Sequence, residues 1–124
     1  MSDIKTYKDL LIWQKGIVLV KTIYTNLESF PKDEIFGLQS QIKRAAVSIP
    51  SNIAEGWGRN STISYIHFLK IARGSLFELE TQLIVAQKLK FIKNETLFSD
   101  LMNQITEESK MINSFINKLE SSKN

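Results

Sequence analysis

The side chains that carry out acid–base, nucleophilic or metal chemistry are sparse in this sequence and do not cluster. His67 is the only histidine, and the chain has no cysteine. An imidazole acts as a general base when a second group orients it, and the sequence around His67 offers no such group. No two residues have the spacing of a His-x-x-x-His or Glu-x-x-His metal site. The sequence therefore predicts no catalytic residue and no metal site.

Two other patterns resemble functional motifs only in part. Gly56 and Gly58 lack the third glycine of a dinucleotide-binding loop and follow a predicted helix, so we interpret them as a helix stop. Glu78 and Glu80 are two residues apart, which places them on different faces of a helix. We therefore expect no cofactor, no small-molecule substrate and no enzymatic activity.

The most informative polar residues form a stripe along one predicted helix. They recur at steps of three and four and are Gln41, Arg44, Ser48, Asn52 and Glu55. One interpretation is a solvated face. The other, which we favour, is a buried hydrogen-bonded network at a subunit boundary formed by Gln41, Ser48, Asn52 and Glu55, because such networks fix which surfaces match. In that network Glu55 would meet Arg73 or Arg59, and Asn52 would bond near Ser75.

Positive charge is concentrated in the middle of the chain. The net charge is +3, but residues 43–93 carry eight basic and three acidic residues. The candidates for nucleic-acid binding are Lys43, Arg44, Arg59, Lys70 and Arg73. Ordinary solvated surface charge explains the same residues, and a continuous patch would depend on how copies assemble.

The hydrophobic pattern predicts an all-α protein, an antiparallel up-and-down four-helix bundle in one domain over residues 1–124. Apolar residues recur at helical spacing in four segments, about 7–29, 33–57, 63–90 and 95–120, and no segment alternates like a strand. Ala72, Gly74 and Ser75 predict a point where another helix comes close. No apolar run has the length of a signal peptide or a membrane span, so we expect a cytoplasmic protein.

Pro50 lies inside the second predicted helix. Proline removes one backbone donor and crowds the carbonyl four residues earlier, here that of Ala46. Either the helix ends at Ile49 and restarts, or one helix is kinked and the Ser48 or Ser51 hydroxyl compensates the freed carbonyl. Because both stripes keep their phase across Pro50, we favour the kink.

The first predicted helix is apolar on several faces. Its main stripe is Leu10, Trp13, Ile17, Val20, Tyr24 and Leu27, and Leu11, Val18 and Leu19 are among the apolar residues on its other faces. A small single domain cannot cover a helix on all sides, so another copy of the chain or a partner must supply the remaining cover. The predicted oligomer interface is Leu11, Trp13, Val18 and Leu19.

Residues 41–56, QIKRAAVSIPSNIAEG, closely resemble the signature of a bacterial family, the proteins encoded in intervening sequences of 23S ribosomal RNA genes. Shorter similar pieces are Asp9-Leu10 with Trp13-Gln14, Phe30-Pro31 with Glu34, and residues 74–80. The resemblance implies a four-helix bundle that assembles as a ring-like homo-oligomer, typically a pentamer. A related group assists reverse transcriptases and binds nucleic acid.

Two hypotheses for function follow. The first is a non-enzymatic, homo-oligomeric assembly or adaptor protein that docks a protein partner. The alternative is a nucleic-acid-binding accessory factor that acts beside a nucleic-acid enzyme.

Overall fold

The computed structural model describes residues 3–122, and the expected all-α bundle is confirmed. Four helices make up the described part of the chain: α1 (Leu11–Tyr24), α2 (Leu38–Trp57), α3 (Thr62–Lys88) and α4 (Glu95–Ser122). Single 3-10 turns precede α1 at Tyr7–Asp9 and α2 at Lys32–Glu34. No strand occurs among the described residues.

The helices pack side by side, so that each contacts two others. α1 lies against α2 and α4, and α3 completes the bundle between α2 and α4. The fully buried side chains are Leu19 and Ile23 of α1, Ile42, Ile49 and Ile53 of α2, Leu69, Leu76, Leu79 and Leu83 of α3, and Leu101, Ile105 and Ile112 of α4. In α2, α3 and α4 these residues belong to the predicted stripes, which meet in one core. In α1 a different face is buried: Ile17 and Tyr24 of the predicted stripe are 41% and 49% exposed, and Leu19 and Ile23 enter the core instead. No helix in the described part of the chain combines the length and the apolar character needed to cross a membrane.

α1 is shorter than the predicted segment 7–29. Its start is displaced because Thr6 and Asp9 form a capping box around the preceding 3-10 turn. At the other end the helix stops at Tyr24, although Leu27 and Phe30 are buried. Phe30 packs on Phe91, with 5.6 Å between the ring centroids. Leu27 and Phe30 lie in a folded loop, but they keep the three-residue apolar spacing of a helix. This spacing explains why the pattern predicted a helix beyond Tyr24.

α2 begins at Leu38, five residues after the predicted start. The Glu34 carboxylate accepts a hydrogen bond from the Leu38 N–H at 3.0 Å. It thereby satisfies one of the backbone donors that have no partner inside the first turn of the helix. The helix continues through Pro50 without interruption, which rules out a helix that ends at Ile49. That the helix is kinked at Pro50 stays a prediction. The Ser48 hydroxyl pairs with Ser75 of α3, and not with the Ala46 carbonyl.

α2 and α3 come close at Gly56. Of the three small residues predicted to lie at a close approach, Ala72 is buried and Ser75 meets Ser48 of α2, whereas Gly74 faces away from the contact. A Cβ on Gly56 would lie 2.8 Å from the Phe68 Cβ and 3.0 Å from the Tyr65 Cδ1. Gly74 is exposed, and a Cβ there would meet nothing within 4 Å. Gly56 lies in the last turn of α2 and lets the two helices meet, whereas Gly58 is the residue that caps the helix.

Candidate functional site

Half of the predicted polar network is present, and it joins α2 to α3 within one chain. The Ser48 and Ser75 hydroxyl oxygens are 2.8 Å apart. Asn52 donates from Nδ2 to both the carbonyl oxygen and the hydroxyl oxygen of Ser48, at 2.8 and 2.9 Å. All three side chains are half-buried, so each hydrogen bond offsets a desolvation cost. The expectation that Asn52 bonds α3 near Ser75 is corrected: both of its hydrogen bonds go to Ser48 of its own helix, and Ser48 makes the contact with Ser75.

The other members of the stripe face solvent. Glu55 accepts from Arg59 at 2.8 Å, one helical turn away, with both side chains about half exposed. A pair of this kind adds little stability. Gln41 and Arg44 are exposed. The stripe is thus a half-buried pair of residues, Ser48 and Asn52, continued at both ends by solvated positions.

The five basic candidates point to different sides of the bundle. Lys43 lies over the Tyr24 ring of α1, 4.9 Å from its centroid. Lys70 pairs with Glu120 at 3.2 Å, and Arg73 donates to Asn113 at 2.8 Å. Both of these partners belong to α4, whereas Arg59 remains at the end of α2 with its guanidinium over the Phe68 ring. A single chain therefore does not collect these residues into one basic patch.

The predicted interface residues divide between three environments. Leu11 and Val18 are both 56% exposed, and Trp13 is half-buried against the edge of the core. Leu19 is only 1% exposed, because its side chain is enclosed by the core of its own chain. The placement of Leu19 at an interface is therefore corrected, since no surface of its side chain is left for another copy.

An uncharged, largely apolar groove runs along the seam between α1 and α2. It has a volume of about 300 Å³ and is lined by Trp13, Ile17 and Val20 of α1 and by Val47, Pro50 and Ala54 of α2. Tyr7 and Ser51 complete the lining, and the Tyr7 ring meets Trp13 edge to face at 5.4 Å. None of these residues is charged, whereas charged residues line four other grooves on the described surface. We call this depression the α1–α2 groove.

An unexpected carboxyl group lies between α1 and α4. Glu108 is 1% exposed, and neither carboxylate oxygen has a hydrogen-bond partner. Burial raises the pKa of Glu108 to about 8, against a smaller opposing effect of the Lys15 ammonium. Lys15 itself pairs with Glu107 at 2.6 Å. The sequence carried a signal for this residue, because Glu108 interrupts the apolar stripe between Ile105 and Ile112.

Neither the single histidine nor the buried tyrosine hydroxyl lines any of the grooves described above. His67 is exposed, with its ring 5.6 Å from that of Phe68. Burial raises the pKa of Tyr65 to about 12, and this hydroxyl lies inside the bundle without a partner. Among residues 3–122, no three carboxylate or imidazole side chains are grouped so as to hold a metal ion. The α1–α2 groove, which suits apolar contact, is therefore the best-defined candidate site.

Comparisons with known proteins agree with this architecture. The sequence profile of the family described as 23S rRNA-intervening sequence protein matches residues 8–114. A crystal structure of a protein of unknown function from the S23 ribosomal protein family of Bacteroides thetaiotaomicron VPI-5482 matches with a TM-score of 0.78 and 24% sequence identity, over 86% of this chain and 98% of that chain. At this identity the likeness shows the fold alone. No curated protein matches the chain.

Proposed function

The chain belongs to the 23S rRNA-intervening sequence protein family, and we propose that it is a non-enzymatic assembly protein that associates with copies of itself. The proposed assembly is a ring, with the five subunits that the family resemblance implies. Its role is to present repeated surfaces to a protein partner, since repetition makes individually weak contacts effective.

The observation that carries the proposal is the α1–α2 groove. Ile17 and Val47 on its rim are about 40% exposed, although both are aliphatic. Moving such side chains from water into an interface is favourable, by about 1.5–3 kcal/mol for a fully buried one. Covering this groove desolvates no charge, so the usual cost of burying a polar surface is small here.

The second exposed flank of α1 is available for the partner. Leu11 and Val18 lie toward α4, away from the groove, and Leu11 adjoins a depression that also contains Lys110 and Lys118. We assign this flank to the protein partner and the groove to the subunit contact. The two surfaces can therefore be tested separately.

Sedimentation equilibrium at tens of micromolar is the direct test of assembly. We expect a mass of five times the 14.2 kDa chain. Ile17→Glu should reduce this mass to that of smaller species, because it places a carboxylate in an apolar contact. Val18→Glu is the matched control: the next residue of the same helix receives the same charge outside the groove, and the mass should not change.

Helicity measured on the same samples separates dissociation from unfolding. Both substituted positions are exposed, so circular dichroism should match that of the unsubstituted protein. A compact single chain for the unsubstituted protein at this concentration would overturn the proposal.

A further inference from the structure

Phe36 is the most exposed large apolar side chain of the described residues. It lies in the connection between α1 and α2 and is 96% exposed. Phe30, six residues earlier in the same connection, is buried against Phe91. A phenylalanine ring left in water forgoes the largest part of its contribution to stability. Burial of the Phe36 ring against another molecule would therefore be favourable, and the single chain does not bury it.

The backbone holds Phe36 in place from both sides. Before it, the Ile35 N–H donates to the Lys32 carbonyl at 3.2 Å; after it, the Gly37 N–H donates to the Glu34 carbonyl at 3.1 Å. The Glu34 carboxylate is fixed in turn by the Leu38 N–H. A Cβ at Gly37 would lie 2.7 Å from a Glu34 carboxylate oxygen, so a larger residue here would push this carboxylate away from its position. A ring on such a fixed loop loses little conformational freedom on docking.

The α1–α2 groove has the chemistry that would accept this ring. Its lining is uncharged, and the Tyr7 and Trp13 rings offer edge-to-face contacts to an incoming aromatic side chain. The groove of the same chain is out of reach, since Val47 lies about 13 Å along α2 from its first residue, Leu38. The ring that enters the groove must therefore come from a second copy.

We propose that Phe36 of one copy inserts into the α1–α2 groove of another. This inference rests on the proposed self-assembly and gives it a specific contact. The inserting ring and the receiving groove are different patches of one molecule, so the contact is heterologous. A heterologous contact closes a ring when the rotation between successive copies divides a full turn, as the proposed five-membered ring requires.

A mixing experiment tests the contact. Phe36→Asp removes the ring and keeps the groove, whereas Val47→Glu spoils the groove and keeps the ring. We expect each variant alone to lose the assembled mass in sedimentation. An equimolar mixture should form a complex of two chains, because one ring and one groove remain intact. Phe77→Asp, at an exposed phenylalanine of α3, is the control and should assemble fully.

The possible results separate the two proposals. If the unsubstituted protein assembles and Phe36→Asp assembles equally well, the inserted ring is wrong and self-assembly stands. Loss of mass in both variants without recovery on mixing also overturns the inference. A single-chain mass for the unsubstituted protein overturns self-assembly itself. Phe36→Ala introduces no charge, and its assembled mass should also fall. This variant shows whether the effect of Phe36→Asp comes from loss of the ring or from the added carboxylate.

Discussion

Glu108 occupies a core position that an aliphatic residue would fill at lower cost. Its carboxyl group faces Gly16, where an added Cβ would lie 3.4 Å from the Glu108 Oε2 and 3.4 Å from the Pro50 Cβ. Glycine at this position leaves room for the carboxyl group between α1, α2 and α4. Because neither oxygen is hydrogen-bonded, the neutral, protonated form is the one that the folded protein tolerates.

The stability of the bundle should therefore fall as pH rises. The pKa of Glu108 is raised from 4.5 to about 8, so the folded protein holds this proton more tightly than the unfolded chain does. The stabilisation is complete below about pH 4.5 and is lost as the pH rises through 8. Its full size is on the order of a few kcal/mol. Urea unfolding measures this contribution to the free energy of unfolding. The natural protein and Glu108→Gln are compared at one protein concentration from pH 5 to 9.

The difference between the two unfolding curves isolates this carboxyl group, since other groups titrate alike in both proteins. We expect Glu108→Gln to gain relative stability steadily with pH. A difference that stays constant from pH 5 to 9 would contradict the raised pKa.

At the scale of elements, periodicity predicted four helices and placed α3 and α4 within two residues, but it failed at both ends of α1 and at the start of α2. The ends depend on single interactions that an apolar pattern does not record, such as the capping box at Thr6 and Asp9 and the Glu34 contact with Leu38. Leu27 and Phe30 show the same limit, because buried loop residues can keep helical spacing. The continuity of α2 through Pro50 was predictable, since the stripes on either side stay in phase.

The two glycines of α2 and α3 provide a matched test of helix packing. Gly56→Ala should destabilise the protein by roughly 1–3 kcal/mol, because the new methyl group would overlap Phe68 and Tyr65 at the helix contact. Gly74→Ala should stabilise it by about 0.5–1 kcal/mol, because it removes a flexible residue from an exposed helical position. Thermal and urea unfolding report both changes. Equal effects of the two substitutions would be inconsistent with the close approach at Gly56.

At the scale of the whole molecule, the sequence predicted part of the candidate site. That the polar stripe of α2 bonds α3 near Ser75 was accessible, because the two lie on facing sides of neighbouring helices, although the bonding residue is Ser48. The groove was not, since it needs Trp13 and Ile17 of α1 to meet Pro50 and Ala54 of α2 across a seam. The concentration of basic residues was visible in the sequence, but the directions of their side chains depend on how the helices are rotated.

Those directions lead to a prediction about nucleic acid. Lys43 faces α1, whereas Lys70 and Arg73 face α4, so few phosphates can be neutralised at once by a single chain. We expect mixed RNA and DNA to show no retention on the protein between about 50 and 200 mM salt, the range in which multiple phosphate contacts are revealed. Filter binding over a salt titration measures this. Binding at low salt, with a logarithm of the binding constant that falls linearly with the logarithm of salt concentration, would instead support the accessory-factor hypothesis.

The up-and-down order of the helices places the two ends of the described chain together. The start of α1 lies beside the last turns of α4, where Leu10 and Phe115 line a common depression. The connection that carries Phe36 is at the opposite pole, with the turn at Phe91. A fluorescent reporter joined after α4 thus lies far from the exposed ring, which makes subunit exchange measurable by energy transfer. One joined before Tyr7 would lie beside the α1–α2 groove.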